Sequence, residues 1–194
     1  NVDYNNNIIY ADNLLLVSLD MYLGKEDIVY DDFPAYLSNN FEKKQLTVDA
    51  ATEISKRYYN PKPQRQFLNT IISEGKKIYL LDLLLPQTSS ANKIGYLQKE
   101  LNWAEENESE IWKYFIDHKL LFSTDSKLNT RFVNKAPFSK FYMNLDKESP
   151  GRIGVWLGWQ IVRSFMENNN VTLQQLLQLD EQKIYNKSKY KPKK

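Results

Sequence analysis

The spacing of apolar and polar positions predicts a mainly helical chain with a small β element at its start. Residues 8–19, IIYADNLLLVSL, mix β-branched and other apolar residues and read as strand, closed by DMYLG at 20–24. A short helix fits residues 34–41. From Thr47 the period becomes helical: Ala50, Ala51, Ile54 and Tyr58 recur along one face, Thr47 or Asp49 can cap, and Pro61 and Pro63 stop the run. A long helix follows over 64–84, closed by Pro86. Residues 94–121 give another helical stretch, broken near Asn107. Residues 123–147 read as irregular, with Pro137 and isolated aromatics. Thr172 caps a last helix, TLQQLLQL.

Between these lies the most informative segment, ESPGRIGVWLGWQIVRSFM at 148–166. Ser149 and Pro150 are start signals, because proline's fixed φ and missing N–H suit a first helical turn. Glycine costs a helix interior roughly 1 kcal/mol relative to alanine. Gly154 and Gly158, four apart in an otherwise apolar helix, therefore predict that a backbone or large side chain approaches that face closely. Arg152, Trp156, Gln160 and Arg163 share a second face, which reads either as the edge of a core helix or as the lining of a polar site.

Composition narrows the class. The chain has 194 residues, 42% hydrophobic and 26% charged, enough for one sizeable core, and no internal linker or repeat divides it. A single domain over 1–190 is expected, with a basic, solvated tail at 187–194 that holds five lysines. A net charge of +2 makes no case for nucleic acid. The absence of cysteine excludes disulfides, thiol nucleophiles and cysteine metal sites. No apolar run reaches the roughly 18 residues of a spanning helix. The chain starts at Asn1 without an initiator Met, as expected of a processed piece. The 13 Tyr, 9 Phe and 4 Trp supply the core; Trp103, Trp112, Trp156 and Trp159 fall in predicted helices, and an aromatic groove around Trp156 and Tyr79 is the alternative use of these rings.

Candidate chemistry is sparse. His118 is the one histidine and sits near a helix end, where the dipole favours a cation. A single imidazole supports no catalytic triad. Thr52-Glu53-Ile54-Ser55-Lys56 has the spacing of an HExxH zinc helix, in which two imidazoles grip the metal and the Glu activates water. Here the imidazole positions are Thr and Lys, and an ammonium repels a cation. Glu74-Gly75 follows on the next helix, where some metallopeptidases carry a third, carboxylate ligand. The plain alternative is that Glu53-x-x-Lys56 is a salt-bridged helix pair.

Long stretches nevertheless carry a family likeness. SLDMYLG at 18–24, ISEGKKIYLLDLLLP at 72–86, GYLQKELNWAEENESEIWKYFIDHKLLFSTD at 95–125, and APFSKFY at 136–142 with the glycine-rich helix together resemble the gliding-motility lipoprotein GldB family. The likeness runs from about Tyr10 to Tyr190. It implies a single zincin-like domain related to metallopeptidases. Thr52 and Lys56 then stand where histidines stood, Glu53 where the general base stood, and Glu74-Gly75 where the E-G pair stood.

The resemblance implies a non-catalytic lipoprotein of the cell envelope, facing the periplasm and associated with gliding motility and type IX secretion. Its partners would be envelope proteins of that apparatus, and its membrane contact would be a lipid on an N-terminal cysteine preceding this sequence. No cofactor or metal is called for. The expected remnant site is Glu53, Lys56, Glu74 and Arg152, with the two cations neutralising the two carboxylates in place of a metal. Two other functions fit the same chain. One is an active peptidase whose metal is held by Glu53 and Glu74 with Asp82, His118 or a main-chain oxygen, an oxygen-rich set that suits Mg²⁺, Ca²⁺ or Mn²⁺. The other is a binder of an envelope glycan.

Overall fold

A computed structural model describes residues 7–143 and 146–193. It is mainly helical with one small antiparallel sheet, as the apolar spacing predicts. The expected strand region is a hairpin: β1 (Ile8–Ala11) pairs with β2 (Leu14–Val17) in the register Ile8↔Val17 through Ala11↔Leu14. Asp12 and Asn13 form its two-residue loop. Asp12 has φ +54°, the left-handed conformation that such loops demand and that Asp tolerates. The short helix α1 (Ala35–Ser38) and the helix α2 (Lys43–Ser55) follow. Helix α2 starts four residues before Thr47, so Thr47 and Asp49 are interior positions rather than caps.

The centre of the molecule is α3 (Phe67–Leu84), which ends shortly before Pro86 as expected. A short helix that the spacing does not predict, α4 (Ser90–Ile94), precedes the predicted stretch 94–121, which holds two helices, α5 (Gln98–Glu106) and α6 (Glu108–Asp117). The break at Asn107 is present, and Gly95, at φ +78°, closes α4 with a left-handed residue. The region expected to be irregular contains α7 (Lys127–Phe132).

The glycine-rich helix α8 (Ile153–Asn168) begins later than Ser149-Pro150 suggests. Arg152 is its N-cap and sits at φ +60°, so it is not on the helical face predicted for it. Thr172 caps α9 (Leu173–Gln178) in a reciprocal capping box with Gln175. A further helix, α10 (Glu181–Ser188), occupies part of the segment expected to be a solvated tail. Its Ser188 is buried, and the Ser188 carbonyl accepts hydrogen bonds from Ser164 and Asn168. Tyr190 donates to Glu108 and stacks edge-on against Trp112. These contacts fix the chain as far as Tyr190 against α6 and α8.

Helices α3 and α8 form the core pair, with α10 against both and α2 leaning on α3 and β1. Each of the central two buries ten side chains or glycines. Where they cross, glycine meets glycine: a Cβ on Gly75 would lie 2.4 Å from the carbonyl carbon of Gly158. The close approach predicted for Gly154 and Gly158 is therefore real, and its partner is backbone. Trp156 and Trp159 are fully enclosed and serve as core, so no aromatic groove opens at Trp156. Phe67, Phe115, Phe132 and Phe141 pack edge to face beside them. Among the described residues, no helix is long and apolar enough to cross a membrane.

Candidate binding cleft

Of the four residues expected to form a remnant site, the structure brings Glu53 and Lys56 together as an ion pair one helical turn apart. Lys56 is more than half exposed, which removes it from any buried cation cluster. Glu74 takes Lys77 of its own helix as partner, at 2.6 Å, again near solvent. Both pairs are the ordinary helical salt bridges of the plain reading. Arg152 lies elsewhere, in the wall of a cleft.

Asp82, considered above as a metal ligand, is already saturated. Arg163 grips both its oxygens at 2.8 and 3.0 Å, Lys93 adds a bond of 3.0 Å, and the Trp159 indole N–H adds one of 2.8 Å. Burial alone would raise its pKa, but these donors and the Arg163 charge outweigh burial and hold it below the usual carboxylate value. His118 caps the end of α6, stacked on Tyr114 at 4.0 Å. Among the described residues no three His, Asp or Glu side chains converge as metal ligands.

The cleft that contains Arg152 has a volume of about 230 Å³. Its walls come from α1 and α2 on one side, the α4–α5 turn on another, and the chain leading into α8 on the third. The C-terminal turn of α4 builds its floor. A helix end leaves carbonyls without intrahelical partners, and here side chains from the surrounding walls take them up. Gln45 donates to Asn92 O at 3.3 Å, Arg152 to Ile94 O at 2.9 Å, and Asn40 to Gly95 O at 3.0 Å. Tyr96, next in the chain, donates to Gly151 O at 2.7 Å and ties the floor to the start of α8.

Besides Arg152, four charged residues line this space, Asp49, Lys93, Glu100 and Lys135. Asp49 on α2 accepts from Asn7 at 2.8 Å, Tyr22 at 3.0 Å and Gln45 at 3.2 Å. Burial is the main influence on it and raises its pKa, against the pull of those donors and of Lys135. Lys135 is open to solvent yet ringed by protein. Burial first, then repulsion from Arg152, lower its pKa, while Asp49 opposes them. Thr52, at the first imidazole position of the HExxH comparison, also lines the cleft, but its hydroxyl donates to Val48 O at 2.8 Å. Sequence reading found Arg152 and missed Asp49, Lys135 and Asn40 as members of one site.

A second concavity, about 310 Å³, lies between α6 and the side chains of Phe141, Met143 and Asp146. Trp103, Tyr114, His118 and Phe141 line it together with the charged Glu110, Lys113, Asp117 and Asp146.

The architecture defines a class: a mainly helical fold crossed at paired glycines and carrying a charged cleft, with no group of three His, Asp or Glu placed to hold a metal among the described residues. A family model for the gliding motility protein GldB matches residues 1–192. The chain belongs to that family. Neither a curated protein nor a solved structure matches it.

Proposed function

We propose that the chain is a non-catalytic cell-envelope lipoprotein domain that serves gliding motility and the allied type IX secretion by holding a protein partner in its cleft. Membership of the GldB family supports the motility role and the envelope location. The observation that carries the non-catalytic reading is the fate of the two imidazole positions. Thr52 spends its hydroxyl on its own helix, and Lys56 stands in solvent against Glu53. Lys56, as an ammonium, has no lone pair for a metal, Thr52 keeps only a neutral hydroxyl oxygen whose proton is held by Val48 O, and the nearby carboxylates are paired with lysines.

The scaffold, in this reading, descends from a zinc peptidase shell that kept its cleft after its ligands were replaced. What remains is a concavity with cations and hydrogen-bond donors on its walls, suited to gripping a polypeptide. A lipid at the mature N-terminus would hold the domain at the membrane, facing the periplasm.

The experiment is crosslinking of the lipoprotein in its native envelope, followed by identification of the captured protein. A defined partner whose capture falls in the R152Q variant supports the proposal. Stoichiometric zinc in the purified protein together with chelator-sensitive cleavage of casein overturns it.

A further inference from the structure

We propose that the cleft is a receptor for a carboxylate, bound between Lys135 and Arg152 and presented by a peptide segment of the partner. This rests on the reading that a polypeptide enters the cleft, and adds which group of it is read.

Donors and acceptors in the cleft do not balance. The acidic groups that line the cleft are already served. Asp49 receives three hydrogen bonds, and Glu100 accepts the Leu97 N–H at 2.7 Å. Lys93, which also lines it, is tied to Asp82 behind the wall, a carboxylate it shares with Arg163. The other two cations are not served. Arg152 uses one N–H on Ile94 O, and Lys135 has no hydrogen bond or ion pair within the described residues. A guanidinium fork offers five donors and an ammonium three. The cleft thus carries a surplus of charged donors, and a carboxylate matches a guanidinium fork in shape as well as charge.

The charge balance selects a monoanion. Lys93, Lys135 and Arg152 bring three positive charges to the lining and Asp49 and Glu100 two negative ones, an excess of one. A phosphate dianion would meet those carboxylates with a second uncompensated charge. A carboxylate can sit at the cationic wall alone. A volume of about 230 Å³ admits one or two residues of a chain end or an acidic side chain, rather than a folded surface. Arg152 is also placed with care: a left-handed N-cap at φ +60° aims its side chain back over the α4 turn instead of along α8.

The test is titration of the isotope-labelled protein with three short probes, followed by amide chemical shifts. The probes are acetyl-Ala-Ala with a free C-terminal carboxylate, the same peptide amidated, and amidated acetyl-Ala-Asp. Shifts centred on Gly95, Lys135 and Gly151 are expected with either carboxylate probe and not with the amide. The stronger of the two identifies chain end or side chain as the source. Lys135 is exposed, so K135Q folds as the parent does, and it is expected to weaken binding about tenfold or more, the usual worth of a charge-assisted bond. K113Q, outside the cleft, is expected to leave it unchanged. Equal binding of the amide, indifference to K135Q, or no binding at millimolar probe overturns the carboxylate receptor. Envelope crosslinking to a partner would survive that result, so the two failures are distinguishable.

Discussion

Gly158 of α8 lies so close to Ile71 of α3 that a Cβ on the glycine would stand 1.8 Å from the Ile71 carbonyl oxygen. No rotamer change relieves such a clash, because the obstacle is main chain. The two longest helices therefore pack at a distance that only glycine permits, and the core on either side of the crossing is set by that distance. G158A must push α3 and α8 apart. The expected loss is at or above the upper end of the usual overpacking cost, about 3 kcal/mol, read by urea unfolding. G75A meets the same crossing from the other side. Since one separation relieves both clashes, the double variant is expected to lose less than the sum of the singles.

The saturated carboxylate of Asp82 gives the stability a pH dependence of known sign. Its folded pKa is held below the unfolded value, so its contribution is complete above the ordinary carboxylate range. It is lost as pH falls through the folded value. D82N leaves Lys93 and Arg163 without a counter-charge in a largely buried setting, and is expected to cost on the order of 3 kcal/mol at neutral pH. Its acid unfolding limb should be shallower than the parent's. Asp49 works the other way. Its pKa is raised, so it favours the folded state most below the ordinary carboxylate value, and that advantage fades as pH rises through the raised one. D49N should remove this opposite slope. Chemical denaturation across a pH series separates the two.

Much of this architecture is written in the apolar spacing. Helices α3 and α8 are long and periodic, and the paired glycines of α8 mark the crossing in the sequence itself. Helices α7 and α10 escaped because they are short and mostly polar; in α10 only Ile184 is a buried apolar anchor. In the overlap of domain and tail, lysines dominate the composition while Ser188 and Tyr190 make the contacts. The cleft was the least legible part. Asp49 resembles a cap because polar residues precede an apolar run, and Lys135 sits in a segment without periodicity. Only tertiary structure brings them to Arg152, which the sequence singled out for a different companionship.

The helical pair Glu53–Lys56, in the stretch spaced like HExxH, should matter little. Glu53–Lys56 sits in solvent, where an ion pair contributes about 0.5 kcal/mol or less. E53Q and K56Q are each expected to shift the unfolding free energy within that margin, and the effect should shrink further in high salt. A loss several times larger in either variant would mean that the pair is part of something the exposed geometry does not convey.

Lys76 is the opposite case. It is 1% exposed, and its ammonium donates to Leu179 O at 2.6 Å and to Glu181 at 3.0 Å. Tyr59 closes the group through Ser73 and Glu181, with its ring 5.3 Å from the ammonium. Helix α3 thereby holds the start of α10 by charge rather than by apolar area, which suits a helix with so few apolar residues. K76M keeps the aliphatic stem but strands a buried carboxylate and a carbonyl, so the expected loss is about 3–5 kcal/mol. Replacing both charges in K76M/E181Q removes the stranded carboxylate and should recover part of that loss, giving a coupling measurable in a double-mutant cycle. Hydrogen exchange locates the damage: amides of α10 should lose protection in K76M before those of α5 do. Uniform loss across both helices would mean that Lys76 supports the whole core and not the docking of its last helix.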